Sequence, residues 1–163
     1  MKVAKGNKES WIEVWVSSDG SDYTLTIVER TIMEQEVVAD PEAMAGDIKT
    51  SGHVAVYGIY FDLDSYTIKP ESDPTLKVIA EMLNANSSLK VYVVGHTDMT
   101  GKLEYNMELS GKRAEAVVNA LVDKCGIPRE RLKAKGVGPL NPVSTNKTEE
   151  GRKLNRRVEL VEM

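Results

Sequence analysis

Apolar and polar residues alternate along two stretches near the start of the chain, "WIEVWV" and "YTLTIV". Strict alternation is typical of half-buried β-strands, and the intervening "SSDGSD" is a turn signal. The pattern therefore predicts a β-hairpin. Its two apolar faces are formed by Ile12, Val14 and Val16 and by Tyr23, Leu25 and Ile27.

A short helix is predicted to follow the hairpin, over "ADPEAMAGDIKTSG". Asp40 is placed to cap its start, Pro41 suits the first helical position, and Gly52 is a typical C-terminal stop. Hairpin and helix together form a ββα segment over residues 1–53, a length near the lower limit for independent folding. We interpret this segment as the end of an upstream module or as an element added to the next sheet.

From residue 54 to residue 163 strands and helices alternate. "VAVYGIYFDLDS" reads as a strand, and "PESDPTLKVIAEMLNANSS" repeats its apolar residues at helical spacing. "LKVYVVGHTD" is apolar on both faces, which indicates a central strand. A second long helix over 103–124 precedes two strands, "RLKAKGVG" and "RRVELVEM". This order predicts an α/β (α+β) sandwich with helices packed on a sheet.

Composition and charge exclude several classes of protein. The chain has 163 residues and a formal net charge of −4, which argues against binding to nucleic acid. No apolar run is long enough to span a bilayer, and "MKVAKGNKESW" lacks the apolar region of a signal peptide. Cys125 is the single cysteine, so neither an intramolecular disulfide nor a cysteine-based zinc site is expected.

Polar side chains cluster where the second strand of this sandwich ends. Thr97 and Asp98 end the strand, and Asn106 and Arg113 follow on one rim of the next helix. Ligands of open α/β sheets bind at this edge. A carboxylate and a guanidinium that both face a cleft would suit a zwitterion. Alternatively, Asp98 and Arg113 simply neutralise each other as an ion pair.

Four motifs in series resemble one known family. They are "YFDLDSYTIKPES", "VVGHTDMTGKLEYNMELSGKRAEAVVNAL", "GIPRERLKAKGVG" and "PVSTNKTEEGRKLNRRVEL". In order and spacing they resemble the OmpA-like C-terminal domain of outer-membrane porin-type proteins, peptidoglycan-associated lipoproteins and flagellar stator subunits. The resemblance covers about residues 56–162 and implies a βαβαββ mixed sheet with helices packed on it.

The resemblance also implies a function. It points to a non-catalytic domain, without cofactor or metal, that binds peptidoglycan through the diaminopimelate of the stem peptide. Asp98 and Arg113 match the residues that hold the ammonium and carboxylate of that side chain. The other matched positions, with the last two at the rim of the pocket, are Thr97, Asn106, Leu109, Asp64 and Arg157.

Such a domain anchors the outer membrane or an envelope assembly to the cell wall. We therefore expect this chain in the periplasm of a Gram-negative bacterium, associated with the outer membrane. Because no signal sequence is present, we also expect the chain to be part of a longer exported protein, with any membrane tether in the upstream sequence.

Parts of the sequence suggest three rival functions. A hydrolase would combine His96 and Asp98 with Ser110 or Cys125, but neither nucleophile lies in a recognisable elbow motif. A calcium loop at "DLDSYTIKPESD" fails because tyrosine and threonine occupy the positions that need an oxygen ligand and glycine.

The third rival is a protein-assembly module of the envelope in which wall binding is vestigial. Trp11 and Trp15 lie four residues apart and so share one strand face. An exposed pair of this kind would serve an envelope partner or a homodimer, whereas a buried pair would simply cover the sheet.

Overall fold

The computed structural model of the protein describes residues 2–5, 8–31, 40–62 and 64–163, and it describes side chains at 14–27, 40–62 and 64–163. The chain forms two compact units, Met1–Glu36 and Val37–Met163. In chain order the elements are β1 (Lys2–Lys5), β2 (Lys8–Val16), β3 (Tyr23–Thr31), α1 (Pro41–Ser51), β4 (His53–Val56), α2 (Asp73–Ala85), β5 (Val91–His96), α3 (Leu103–Asp123), β6 (Leu132–Gly138), α4 (Glu149–Asn155) and β7 (Val158–Glu162).

The smaller unit is a three-stranded antiparallel sheet in the order β1-β2-β3. The predicted hairpin is confirmed as β2 and β3, and the register pairs Val14 with Leu25 and Val16 with Tyr23. Residues that pair across strands share a face, so the predicted apolar residues lie together. The members of this row whose side chains are described are all more than half exposed: Val14, Val16, Tyr23, Leu25 and Ile27.

Helix α1 has the predicted ends. The Asp40 carboxylate accepts a hydrogen bond from the Glu42 backbone N–H, and Gly52 ends the helix with a left-handed φ of +80°. Its buried residues, Met44 and Ile48, join the core of the larger unit, because α1 packs against α2 and β4. The sequence grouped this helix with the hairpin as a 1–53 segment, whereas the contacts place the boundary between Glu36 and Val37.

The larger unit is built on a four-stranded mixed sheet in the order β4-β7-β5-β6. β5 runs parallel to β6, and β7 runs antiparallel to both β4 and β5. This confirms the predicted βαβαββ mixed sheet, with the last strand inserted between the first two. Val91 and Val93 of β5 are fully buried, while Tyr92 and Val94 are only half-buried. One face of this interior strand is therefore fully covered.

The first strand of the sandwich is shorter than predicted. β4 ends at Val56, and residues 57–62 and 64–69 lie in a loop closed by a bridge between Phe61 and Ile68. The Ser72 side chain fixes this loop, since its hydroxyl accepts from the Tyr60 N–H at 2.8 Å and donates to the Tyr60 carbonyl at 3.2 Å. We call these described residues, 57–62 and 64–69, the 57–69 loop.

The core lies between the sheet and helices α2 and α3. The predicted stripe of α2 is buried, with Leu76, Ile79 and Leu83 at most 1% exposed. Burial of each such side chain stabilises the fold by about 1.5–3 kcal/mol. Among the described residues, no helix is long and apolar enough to cross a bilayer.

Helix α3 lies against the backbones of β5 and β6 at two glycines. A Cβ atom added at Gly95 would lie 2.2 Å from the Ser110 carbonyl oxygen, and one added at Gly136 would lie 2.2 Å from the Gly111 nitrogen. The Ser110 hydroxyl also accepts a hydrogen bond from the Gly138 N–H at 2.9 Å. The contact therefore requires residues without a side chain.

We predict that Gly95→Ala destabilises the protein by at least ~1–3 kcal/mol, because α3 must move away from the sheet to admit the methyl group. The free energy of unfolding from urea denaturation measures the effect. Gly46→Ala is the matched control, since a Cβ there meets no atom within 4 Å. In a helix interior this change should stabilise by about 0.5–1 kcal/mol. A Gly95→Ala variant as stable as wild type would contradict the packing.

Candidate functional site

The candidate site begins where β5 ends. The His96 N–H donates to the Arg157 carbonyl and the Thr97 N–H donates to the Gly138 carbonyl, each at 3.0 Å. These bonds hold the strand end between its two neighbours. Thr97 and Asp98 are both buried. Asp98 therefore lies at the carboxyl end of an interior strand, as the sequence predicted.

Asn106 braces the loop that follows Asp98. Its side-chain amide donates to the Thr100 carbonyl at 2.9 Å and to the Asp98 carbonyl at 3.5 Å. The sequence placed Asn106 at the rim of the apolar face of α3. Its side chain is only 5% exposed, and its buried amide is hydrogen-bonded to the backbone carbonyls of the loop. Leu109, one turn further along α3, is also buried.

The Asp98 carboxylate is held by two donors. One oxygen accepts from Arg156 Nη1 at 2.7 Å and the other from the Thr100 N–H at 2.8 Å. Burial acts to raise the pKa of Asp98, but the Arg156 hydrogen bond and those from Thr100 prevail, so the pKa lies below its usual value. The other terminal nitrogen of Arg156 donates to Glu149 at 2.6 Å.

Arg113 does not form an ion pair with Asp98, which pairs with Arg156. Its Nε donates to the Ser65 carbonyl at 2.9 Å, and its guanidinium carbon lies 4.9 Å from the centre of the Phe61 ring, a cation–π contact. Within the described part of the chain Arg113 forms no salt bridge. The ion pair that the sequence offered as an alternative is therefore absent, because Asp98 pairs with Arg156.

Burial and nearby charged groups act on the pKa of Arg113. Burial lowers the pKa of Arg113, the nearby Tyr105, Asp64 and Asp98 act to raise it, and Arg156 acts to lower it. The guanidinium stays charged in any case, since its ordinary pKa exceeds 12. The carboxylates of Asp98 and Asp64 thus both act on the charge of Arg113.

Asp64 lies in the 57–69 loop and accepts a hydrogen bond from the Tyr105 hydroxyl. Its φ of +55° is the left-handed conformation, which is uncommon for a residue other than glycine. Tyr105 and Arg113 thus both fasten this loop to α3, at positions eight residues or ~12 Å apart along the helix. The loop runs beside α3 and completes the site.

Arg157 does not lie at the rim where the sequence placed it. Its side chain is fully buried and donates to Glu159 at 2.6 and 2.9 Å. The pKa of Glu159 is lowered to about 2, first by the His96 ring 3.4 Å away and, against burial, by Arg157. Residues two apart in an extended chain share a face, so "RVE" is compatible with this pair, but the pattern does not show that Arg157 is the arginine that turns inward.

Arg156 is the site residue that the sequence reasoning missed. It caps the C-terminus of α4, 58 positions after the aspartate that it contacts. No local pattern separates the two arginines of "NRRV" by role. Only the fold shows that one enters the core and the other reaches the carboxylate.

The site as a whole presents opposite charges side by side. A carboxylate fixed by Arg156 and Thr100 lies near a guanidinium fixed by Ser65 and Phe61. The terminal nitrogens of Arg113 donate no hydrogen bond within the described residues, so the planar fork is open to a carboxylate. The arrangement suits an amino-acid head group.

Comparison with known proteins gives a family match. The model of the OmpA family matches residues 60–156. The probable lipoprotein YiaD of Escherichia coli K12 is 41% identical over 102 residues, which cover 63% of this chain and 46% of that protein. Outer membrane protein A of Bordetella avium is 45% identical, over 62% of this chain and 52% of its own length. The chain thus spans about half the length of these relatives.

Solved structures share the fold. The peptidoglycan-associated lipoprotein of Burkholderia pseudomallei aligns with a TM-score of 0.59 and 31% identity, over 76% of this chain and all of its own. The cell wall anchor of the T6SS from Pseudomonas aeruginosa aligns with a TM-score of 0.58 and 29% identity, over 78% of this chain and 99% of its own.

We predict that Arg156→Ala raises the pKa of Asp98, because burial still raises this pKa while the Arg156 hydrogen bond that lowers it is lost. A carbon-13 NMR titration of the Asp98 carboxyl measures the change. Since the folded pKa lies below the unfolded value of about 3.9, the stability from Asp98 is present above that value and is lost as the pH falls through the folded pKa. In Arg156→Ala, the stability that Asp98 contributes should therefore be smaller and should be lost at a higher pH.

Arg152→Ala is the matched control for this titration. Arg152 pairs with Glu149 on the same helix but does not contact Asp98. Its removal should leave the pKa of Asp98 close to the wild-type value. An unchanged or lowered pKa in Arg156→Ala would show that Arg156 is not what holds the carboxylate ionised.

Proposed function

The chain belongs to the OmpA family, and from that premise we propose that it binds peptidoglycan without covalent attachment, through the diaminopimelate of the stem peptide. Domains of this family are binding modules and not enzymes. The side chain of diaminopimelate ends in an ammonium and a carboxylate on one carbon. In the proposal Asp98 receives the ammonium and Arg113 grips the carboxylate.

One observation carries this proposal. The charge of Asp98 acts on the pKa of Arg113, yet each side chain is held by other groups and the two do not pair. A ligand that carries both charges can therefore engage both side chains without first breaking an ion pair between them. Because the two groups are already held in place, little side-chain entropy is lost when the ligand binds.

The remaining site residues support these two. Asn106 holds the loop that carries Asp98, and Asp64 holds the edge of the 57–69 loop through Tyr105. In the proposal Thr97 and Leu109 line the floor of the pocket, where both are buried. Arg156 replaces Arg157 at the rim, since Arg157 is committed to Glu159 in the interior.

We further propose that the domain anchors the outer membrane or an envelope assembly to the wall, in the periplasm of a Gram-negative bacterium. The support comes from the names of two proteins with the same fold, one peptidoglycan-associated and the other a cell wall anchor. It also comes from the outer-membrane protein and the lipoprotein among the relatives.

Sedimentation with purified sacculi tests wall binding. Wild type should pellet with the sacculi, and Asp98→Ala or Arg113→Ala should remain largely in the supernatant. Loss of one partner of a charge-assisted contact typically costs 2–5 kcal/mol, or at least about thirtyfold in affinity. Asp123→Ala and Arg129→Ala are matched controls, because both side chains are exposed on the larger unit away from these contacts.

Two results would count against the proposal. If both site variants pellet as strongly as wild type, Asp98 and Arg113 do not form the binding site. If wild type releases soluble fragments from the sacculi, the domain is a hydrolase and not a binding module. Circular dichroism of each variant confirms that the fold is retained.

A second candidate function is assembly through the smaller unit, as a homodimer or with an envelope partner. The observation that favours it is the row of exposed apolar residues on one face of the β2–β3 hairpin. Trp15, on the opposite face, is 61% exposed, and the side chain of Trp11 lies outside the described residues. An exposed apolar surface of this kind marks an interaction site.

If the apolar row mediates self-association, wild type should be oligomeric at micromolar concentration and Leu25→Glu should be monomeric, because a charge in the interface is costly to bury. Analytical ultracentrifugation measures the mass. Thr24→Glu introduces the same charge on the other face and should not change the mass. A wild-type chain that is monomeric at all concentrations excludes the homodimer. Wall binding should be the same in all three proteins.

A further inference from the structure

Next to Arg113, a second cation of α3 faces the 57–69 loop. The Lys112 Nζ atom lies 5.9 Å from the centre of the Tyr66 ring, and Arg113 donates to the carbonyl of the preceding residue, Ser65. Consecutive cations of the helix thus meet consecutive residues of the loop. Both Lys112 and Tyr66 are about half exposed. Lys112 therefore lies at the same segment of the loop that Arg113 contacts.

The present partner of Lys112 is easily displaced. Its Nζ pairs with Glu108 at 2.7 Å, one turn earlier on the same helix, and both side chains are more than half exposed. A surface pair of this kind is worth less than ~1 kcal/mol. The Glu108 contact raises the pKa of Lys112, so the ammonium is charged at neutral pH. A carboxylate from a ligand can take the place of Glu108.

The stem peptide supplies such a carboxylate. The residue before diaminopimelate is a glutamate that is joined to it through its side-chain carboxyl, so its own α-carboxylate remains free. A ligand anchored at Arg113 by the diaminopimelate head group therefore carries a second carboxylate one residue away. The two consecutive cations of α3 match two carboxylates on consecutive residues of the peptide.

We propose that Lys112, beside Tyr66, binds the α-carboxylate of the glutamate that precedes diaminopimelate. The proposal rests on the proposed function, because it extends the same bound peptide by one residue. Lysine suits this place, since its ammonium is a point charge on a flexible stem and does not require the fixed geometry of an arginine fork. The subsite makes the domain sensitive to amidation of this carboxylate.

A thermodynamic cycle tests the subsite. Two stem tripeptides that differ only at this position, as free acid or as amide, are titrated into the full chain by calorimetry at low salt. Wild type should bind the free acid about two- to fivefold more tightly, the strength of one exposed ion pair. Lys112→Gln should lose this preference and bind both peptides with the wild-type affinity for the amide.

A gain of affinity separates this role from a merely structural one. Glu108→Gln removes the competing carboxylate, so it should strengthen binding of the free acid and leave binding of the amide unchanged. Lys112→Arg should keep most of the preference because it keeps the charge. Added salt should reduce the preference in wild type, since exposed charges are screened.

The outcomes distinguish the subsite from the proposed function. If wild type binds both peptides equally, or if Lys112→Gln weakens both equally, the subsite is overturned while the Asp98 and Arg113 site stands. If neither peptide binds to wild type, the proposed function fails and the subsite fails with it.

Discussion

Helix α3 approaches β5 and β6 so closely that a Cβ atom added at Gly95 or Gly136 would lie 2.2 Å from its backbone. This approach brings the first turns of α3 beside the end of β5, where Asp98 lies. From there Asn106 can reach back to hold the loop, and Arg113 can reach the same surface from two turns further on. A helix set even one side-chain layer further away would separate these groups.

Among the described residues, the buried and half-buried charged side chains in and beneath the site each pair with an opposite charge, except for Arg113. Arg157 pairs with Glu159 in the interior, and Asp98 pairs with Arg156 at the edge, since a buried charge without a partner is costly. Arg113 is the exception: the 57–69 loop gives it a carbonyl oxygen and an aromatic ring instead of a carboxylate. A cation held in this way keeps its capacity to bind an anion.

Much of the fold was predictable because the secondary structure that nearby residues favour is the one that the tertiary packing uses. The hairpin, the caps of α1 at Asp40 and Gly52, and the apolar stripe of α2 each follow from spacing and residue type within a dozen positions. The first strand of the sandwich was predicted too long. Its apolar residues continue past Val56, but Ile59 and Phe61 pack against the core from a loop and do not extend the sheet. Periodicity cannot distinguish these two uses of an apolar residue.

The sequence by itself determined the order of the elements, the position of Asp98 at a strand end, and the placement of Asn106 and Arg113 on the helix that follows. These depend on backbone periodicity, which is local. The tertiary structure alone decided that Asp98 pairs with Arg156 and not with Arg113, and that Arg157 turns inward. Such choices depend on distances between segments up to 58 residues apart, and side chains commit to partners only when packing brings those segments together.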